Sequence, residues 1–180
     1  MRNIAYKKSM QEAKKIMQEI ADKSHDFEHA KAVARNSILI SKKLRYANID
    51  LLKLAAWWHD TGRLYQEDHE KISAKMAKEN LLFLGASKED VQEIYDAIRF
   101  HKWNMKPKTL AGKIIRDADK LDFLSISRWK NSKNSNNKYA NSISPILPNL
   151  RLLLSLEISK KIFDKRIKTF CKETGCEYLK

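Results

Sequence analysis

The chain has 180 residues, 43% of them hydrophobic and 32% charged, and a formal net charge of +14 at pH 7. That length suits one domain with a real core, and that balance excludes a disordered chain. The longest apolar runs, such as Leu54 to Trp58, fall far short of the ~18 residues a membrane-spanning helix requires. The N-terminal MRNIAYKKSMQEAKK has no unbroken apolar core, so it is not a secretory signal, and a soluble cytoplasmic protein is expected.

Four glycines and three prolines leave few places to interrupt a helix. Residues 4–20 carry Ile4, Met10, Ala13, Ile16, Met17 and Ile20 on one helical face. Asp26 can cap a second helix running to about Leu44, with Ala30, Val33, Ala34, Ser37, Ile38 and Ser41 as its inner stripe. Asp50 is placed to cap a third, LLKLAAWWHD, which Gly62 could close in a left-handed cap. Asp68 can start a fourth helix that Gly85 ends, and Ser87 with Asp90 resembles a capping box for a fifth. Thr109 can cap a sixth through Ile114, Ile115, Ala118 and Leu121.

The Asn, Ser and Lys of 128–148 read as a long loop ended by Pro148. A last amphipathic helix is expected over 149–173, its regular part from Asn149 to Cys171, burying Leu150, Leu153, Leu154, Ile158, Ile162 and Phe163. Arg151, Lys160, Lys161, Lys165 and Lys168 would face outward. No strand pattern competes. The fold expected is a single all-α domain over 1–180 with six to eight helices.

Cys171 and Cys176 have no second pair to complete a zinc site and make no disulfide framework, so both read as reduced thiols. From Ile126 to the end there are 12 Lys+Arg against four acids, a surplus of +8. Such a surplus suits solvated helix faces, and it also suits an anionic partner, whether a phosphorylated small molecule or RNA.

The five histidines, His25, His29, His59, His69 and His101, all lie at helix ends or on inner stripes, outside the basic C-terminal third. Imidazole with carboxylate suits Mn, Fe, Co, Ni, Mg or Zn, and the missing thiolate leans away from a structural zinc site. Adjacent His59 and Asp60 differ by ~100° around a helix, so both reach one ion only if it sits off the helix end. His29 near the start of one helix and Asp119 on another could complete a four-residue set.

In order, SHDFEHAKAV, LAAWWHDTGR, DHEKISAKMAKENL, EIYDAIRFHKW and RDADKLDFL make the pattern H…HD…D, which resembles the HD-domain superfamily of metal-dependent phosphohydrolases. The likeness spans about 24–122 and implies an HD-type helical bundle. It implies metal binding by His29, His59, Asp60 and Asp119. His69 and His101 match positions that hold a second ion in two-metal members, with Asp60 bridging. The ADKLD motif places the ligand at Asp119 and leaves Asp117 and Asp122 as supporting or capping groups. HDTGR lacks the acidic pair of guanosine tetraphosphate hydrolases, no GYP motif follows, and FLSIS replaces the glycine-rich stretch of small relatives.

Phosphate ester or anhydride hydrolysis needs a nucleophile at neutral pH and neutralisation of the phosphoryl oxygens, and a divalent ion supplies both. His25 or His101 could shuttle the proton, and Arg63 and Lys120, each close to a ligand in sequence, could grip phosphate. The function expected is a metal-dependent phosphohydrolase with one or two divalent ions, acting on a nucleotide or other small phosphorylated metabolite. The alternative is an RNA-directed phosphodiesterase or RNA-binding module using the basic C-terminal third.

Overall fold

The computed structural model describes residues 2–22, 24–65, 68–134, 145–176 and 178. The described residues form nine α-helices, two 3-10 turns and no strand: α1 (Arg2–Glu19), α2 (Phe27–Leu44), α3 (Ile49–Trp58), α4 (His69–Phe83), α5 (Lys88–Arg99), α6 (Leu110–Leu121), α7 (Ile126–Asn134), α8 (Leu147–Leu153) and α9 (Glu157–Thr174). The 3-10 turns are Thr61–Tyr65 and Asp122–Leu124. None of the described helices is long and apolar enough to cross a membrane.

Short polar side chains start the helices by taking their orphan N–H groups. Asp26 accepts from the His29 amide, Ser87 from Asp90 and Thr109 from Gly112. Asn48, not Asp50, caps α3 by accepting from the Leu51 amide at 3.3 Å, while Asp50 pairs with Lys53. Leu51, Leu52, Leu54, Ala55 and Ala56 of α3 are fully buried, so beyond the Asp50–Lys53 pair this helix is enclosed by its neighbours. It is the central element, packed by α1, α2, α5 and α6.

Gly62 closes no left-handed cap, because it lies inside the first 3-10 turn without positive φ. Its requirement is close approach. A Cβ there would stand 2.3 Å from the His69 carbonyl and 2.8 Å from the Ser73 amide, and the Gly62 amide donates to Ser73 Oγ at 2.8 Å. The missing side chain lets the start of α4 press against the end of α3.

The C-terminal third differs from expectation in two places. One helix from Asn149 to Cys171 is broken into α8 and α9 by the extended residues 154–156. The apolar period was sound, but fully buried Asp117 of α6 accepts the amides of Ser155 at 2.8 Å and Leu156 at 2.9 Å. A carboxylate distant in sequence thus does the work of an N-cap for α9. The polar stretch 128–148 is also not all loop, since α7 runs to Asn134. Trp129 is 4% exposed and packs edge-on against Phe170 at 5.3 Å, and this contact docks the polar helix. Residues 135–144 of the expected loop lie outside the described residues.

Candidate metal centre

Six side chains from five helical segments meet around Asp60, which is 1% exposed. His29 comes from the first turn of α2, His59 and Asp60 from just past α3, His69 from the start of α4, His101 from just past α5, and Asp119 from α6. The two oxygens of Asp60 face different pairs of imidazoles. Oδ2 lies 3.6 Å from His29 Nε2 and 3.5 Å from His59 Nε2. Oδ1 lies 3.4 Å from His69 Nε2 and 3.6 Å from His101 Nε2. Asp119 Oδ1 closes the first side at 3.3 Å from His29 Nε2. Two buried ion-sized clusters result, His29–His59–Asp119 and His59–Asp60–His101. All six residues expected as ligands are brought together.

Neither Asp60 oxygen accepts an aligned hydrogen bond, although both are buried. The Arg63 guanidinium, 2.9 Å from Oδ2, compensates part of the cost of so deeply buried a carboxylate, and a cation among the imidazoles would compensate the rest. The opposite face of each ring supports the same reading. His59 Nδ1 donates to the Ala56 carbonyl at 2.7 Å, and His101 Nδ1 donates to the Ile98 carbonyl at 2.6 Å. Both carbonyls belong to a helix's last turn, where the intrahelical ladder runs out. His29 Nδ1 donates to Asp122 Oδ2 at 2.8 Å, and Arg128 also donates to Asp122. With Nδ1 spent as a donor, Nε2 of His59 and of His101 is the nitrogen left with a lone pair toward Asp60.

Three residues of this support were not singled out beforehand. Arg128 sat in the stretch read as loop. Buried Glu70 lies 3.5 Å from His69 Nδ1 and pairs with Lys102 and Arg99. Asn36 donates to the Ala118 carbonyl, next to Asp119. Only Glu70 carried a signal, its place beside His69 in DHEK. Asp122 holds the far nitrogen of His29. Asp122→Ala is expected to weaken metal affinity about 10–100-fold, read by competition with a chelator, with the other ligands still in place.

The charges around Asp60 oppose one another. Burial alone would raise its carboxyl, but His59 and the Arg63 guanidinium hold it well below the usual range. Asp119 is likewise held low, against burial, by Lys120 and His29. Burial drives His59 down to about 3 and His69 to about 4, so both imidazoles are neutral at pH 7. His29 is also penalised by burial, yet Asp119 and Asp122 outweigh that and raise it to about 9. At neutral pH His29 therefore holds a proton that an ion on Nε2 must expel. Metal uptake should release about one proton, and affinity should fall about tenfold per pH unit below ~9 and level off above it. Titration calorimetry at pH 7 in buffers of different ionisation enthalpy measures that proton; identical heats would contradict it.

The expected phosphate-gripping cations sit against the ligands. Arg63 Nε is 2.9 Å from Asp60 Oδ2, and Lys120 Nζ is 2.5 Å from Asp119 Oδ2. Arg63 also lines a cavity of about 440 Å³ with Asp22, Leu64 and His69, which opens beside the centre. Lys120 Nζ stands 5.1 Å from the Trp103 ring, itself stacked with Phe123. His25 is not among the clustered ligands. Its Nδ1 pairs with Asp22 at 2.8 Å, its ring meets His29 edge-on at 5.4 Å, and burial lowers its basicity. Trp58 is core, donating to Ser9, and Trp57 packs on Phe27 beneath Lys14.

A family model, HD domain, matches residues 26–124. YpgQ of Bacillus subtilis, an uncharacterised protein, is 28% identical over 104 residues, which are 54% of this chain and 50% of that protein. The chain thus aligns with about half the length of this curated relative. The crystal structure of YpgQ in complex with ADP superposes with a TM-score of 0.63 at 20% identity, over 94% of this chain and 96% of that one. A predicted HD superfamily hydrolase from an uncultured Thermotogales bacterium superposes with a TM-score of 0.72 at 22% identity, over 92% of this chain and 87% of that one.

Proposed function

This chain belongs to the HD domain family, and we propose that it is a metal-dependent phosphohydrolase that cleaves a phosphate ester or anhydride of a nucleotide or similar small metabolite. The observation that carries the reading is Asp60, buried and without an aligned hydrogen bond, with an imidazole pair facing each of its oxygens. His29, His59, Asp119 and Asp60 Oδ2 would hold one divalent ion. His69, His101 and Asp60 Oδ1 would hold a second, with Asp60 as the bridge. The donors are oxygen and imidazole nitrogen, a set for Mn, Fe, Co, Ni, Mg or Zn.

A bound ion would supply a water acidic enough to attack at neutral pH and a Lewis acid for the phosphoryl oxygens. The chain's own groups do the rest. Arg63, at the mouth of the 440 Å³ cavity, is placed to orient a phosphate against the centre. Lys120, pinned between Asp119 and the Trp103 and Phe123 rings, offers a second cation on the opposite side. His25, held by Asp22 and kept neutral by burial, can accept a proton beside His29. That a relative was crystallised with ADP supports a nucleotide. Cys171 and Cys176, not joined in a disulfide, accord with a reducing, cytoplasmic setting.

The test is a panel of nucleotides, cyclic phosphates and sugar phosphates assayed with each of these metals. Phosphate release from a nucleotide, lost with chelator and restored by one metal, is expected. No turnover across the panel with metal bound would sink the reading.

A further inference from the structure

A larger cavity lies apart from the mouth described above, between α2, the Asp122–Leu124 turn and α9. Its volume is about 900 Å³, within the range of small-molecule sites. Its floor is apolar, with Leu39, Leu124, Ile158 and Ile162. Its rim is cationic: Arg35, Lys43, Lys161 and Lys165 are exposed there, and Arg166 is half-buried. Asp122 is the one acid of the lining, and its carboxylate is already engaged by His29 and Arg128. Arg166 forms no ion pair among the described residues; it donates to Asn36 Oδ1 at 2.8 Å, and burial lowers its affinity for a proton against the pull of Asp122. A half-buried guanidinium whose nearest acid, Asp122, is bonded to His29 and Arg128 instead is, beside an apolar floor, a place for an anion to dock.

We propose that this cavity is a second ligand site that takes an amphipathic anion, an apolar body lying on Leu39, Leu124 and Ile158 with a phosphate or carboxylate head at Arg166, Lys161 and Lys165. The site touches the metal centre through two side chains. Asn36 holds Arg166 with its oxygen and the Ala118 carbonyl, beside Asp119, with its amide nitrogen at 3.0 Å. Asp122 lines the cavity and bonds the far nitrogen of His29. An occupant drawing on Arg166 therefore bears on the residues that set His29 and Asp119. Coupling is reciprocal, so metal would alter ligand affinity as much as ligand alters metal affinity.

Fluorescence titration of the full-length, metal-loaded chain with anilinonaphthalene sulfonate tests the site directly. Saturable one-to-one binding is expected, displaced by decyl phosphate and decanoate but not by inorganic phosphate. Lys161→Glu with Lys165→Glu should weaken it at least tenfold. Lys160→Glu with Lys168→Glu makes the same charge change on the same helix, outside the cavity lining, and should weaken it less than threefold. Arg166→Met should weaken it at least tenfold with the circular dichroism spectrum intact. Equal losses from the two double variants would reduce the binding to overall charge and overturn the site. So would displacement by inorganic phosphate alone, which would mean an anion patch without an apolar subsite. If instead probe binding fell with rising protein concentration as dimers formed, a second copy would be the occupant and the small-ligand assignment would fail. None of these readings depends on turnover, so the site can stand or fall apart from the proposed hydrolysis.

Discussion

Asp60→Ala will remove bound metal and phosphohydrolase activity together. The Asp60 side chain faces both imidazole pairs, with Oδ2 toward His29 and His59 and Oδ1 toward His69 and His101. Its loss deletes a ligand from either ion position and the negative charge that makes a divalent cation welcome between four rings. Metal content by mass spectrometry should fall to background, and hydrolysis should fall at least a thousandfold, about 4 kcal/mol of barrier. Asp60→Asn separates charge from shape, since the amide fills the same volume but brings an N–H2 to face two imidazole nitrogens. It should bind metal far more weakly than the wild type while keeping the helical spectrum. Full metal occupancy in Asp60→Ala would show that the ions sit elsewhere.

Asp117→Ala should be the most destabilising single change outside the metal centre. Asp117 is fully buried and takes the amides of Ser155 and Leu156, the two groups that open α9. Alanine leaves both amides without an acceptor, at ~1–3 kcal/mol for each buried group. A loss of about 3 kcal/mol is expected, and at ~2–4 °C per kcal/mol for a chain of this size Tm should drop by about 6–12 °C. Asp117→Asn keeps one acceptor oxygen but turns an amide nitrogen toward the other N–H, so its loss should fall between. Metal affinity should change little, because the Asp117 carboxylate is engaged by the Ser155 and Leu156 amides and is not among the clustered groups. A Tm within about 2 °C of wild type in Asp117→Ala would mean that residues 154–156 hold their shape without it.

Four of the six clustered residues sit beside a local signal, and His69 and His101 were legible through the family resemblance. His29 follows the Asp26 cap, His59-Asp60 end a largely apolar helix, and Asp119 lies within ADKLD. Helical period also found the core positions of the C-terminal helix: Leu150, Leu154, Ile162 and Phe163 are buried. It could not find the break between α8 and α9, because that break is made by a carboxylate on α6 and leaves no mark in the local pattern. Arg128 was hidden for a related reason. Its neighbours are polar, and only the burial of Trp129 against Phe170 turns the segment into a helix that brings Arg128 to Asp122. The demand at Gly62 was visible as a glycine and misread as a turn, since a close approach between two helices exists only in three dimensions.

The far-side partners of the rings divide the centre's capacity for evolutionary change. His59 and His101 lean on main-chain carbonyls, of Ala56 and Ile98, and every amino acid supplies a carbonyl. Substitution at 56 or 98 can disturb packing, but it cannot alter which ring nitrogen faces the metal by removing the acceptor. His29 and His69 lean on side chains, those of Asp122 and Glu70, which a single codon change can exchange for a neutral or shorter group. One adjustable partner thus serves each side of Asp60. A lineage that needed a different metal, a weaker hold or a more acidic bound water could explore it at 122 and 70 while 59 and 101 kept the scaffold in register. Variation among descendants of this chain should concentrate at those two positions, with the carbonyl-anchored pair as the inherited constant.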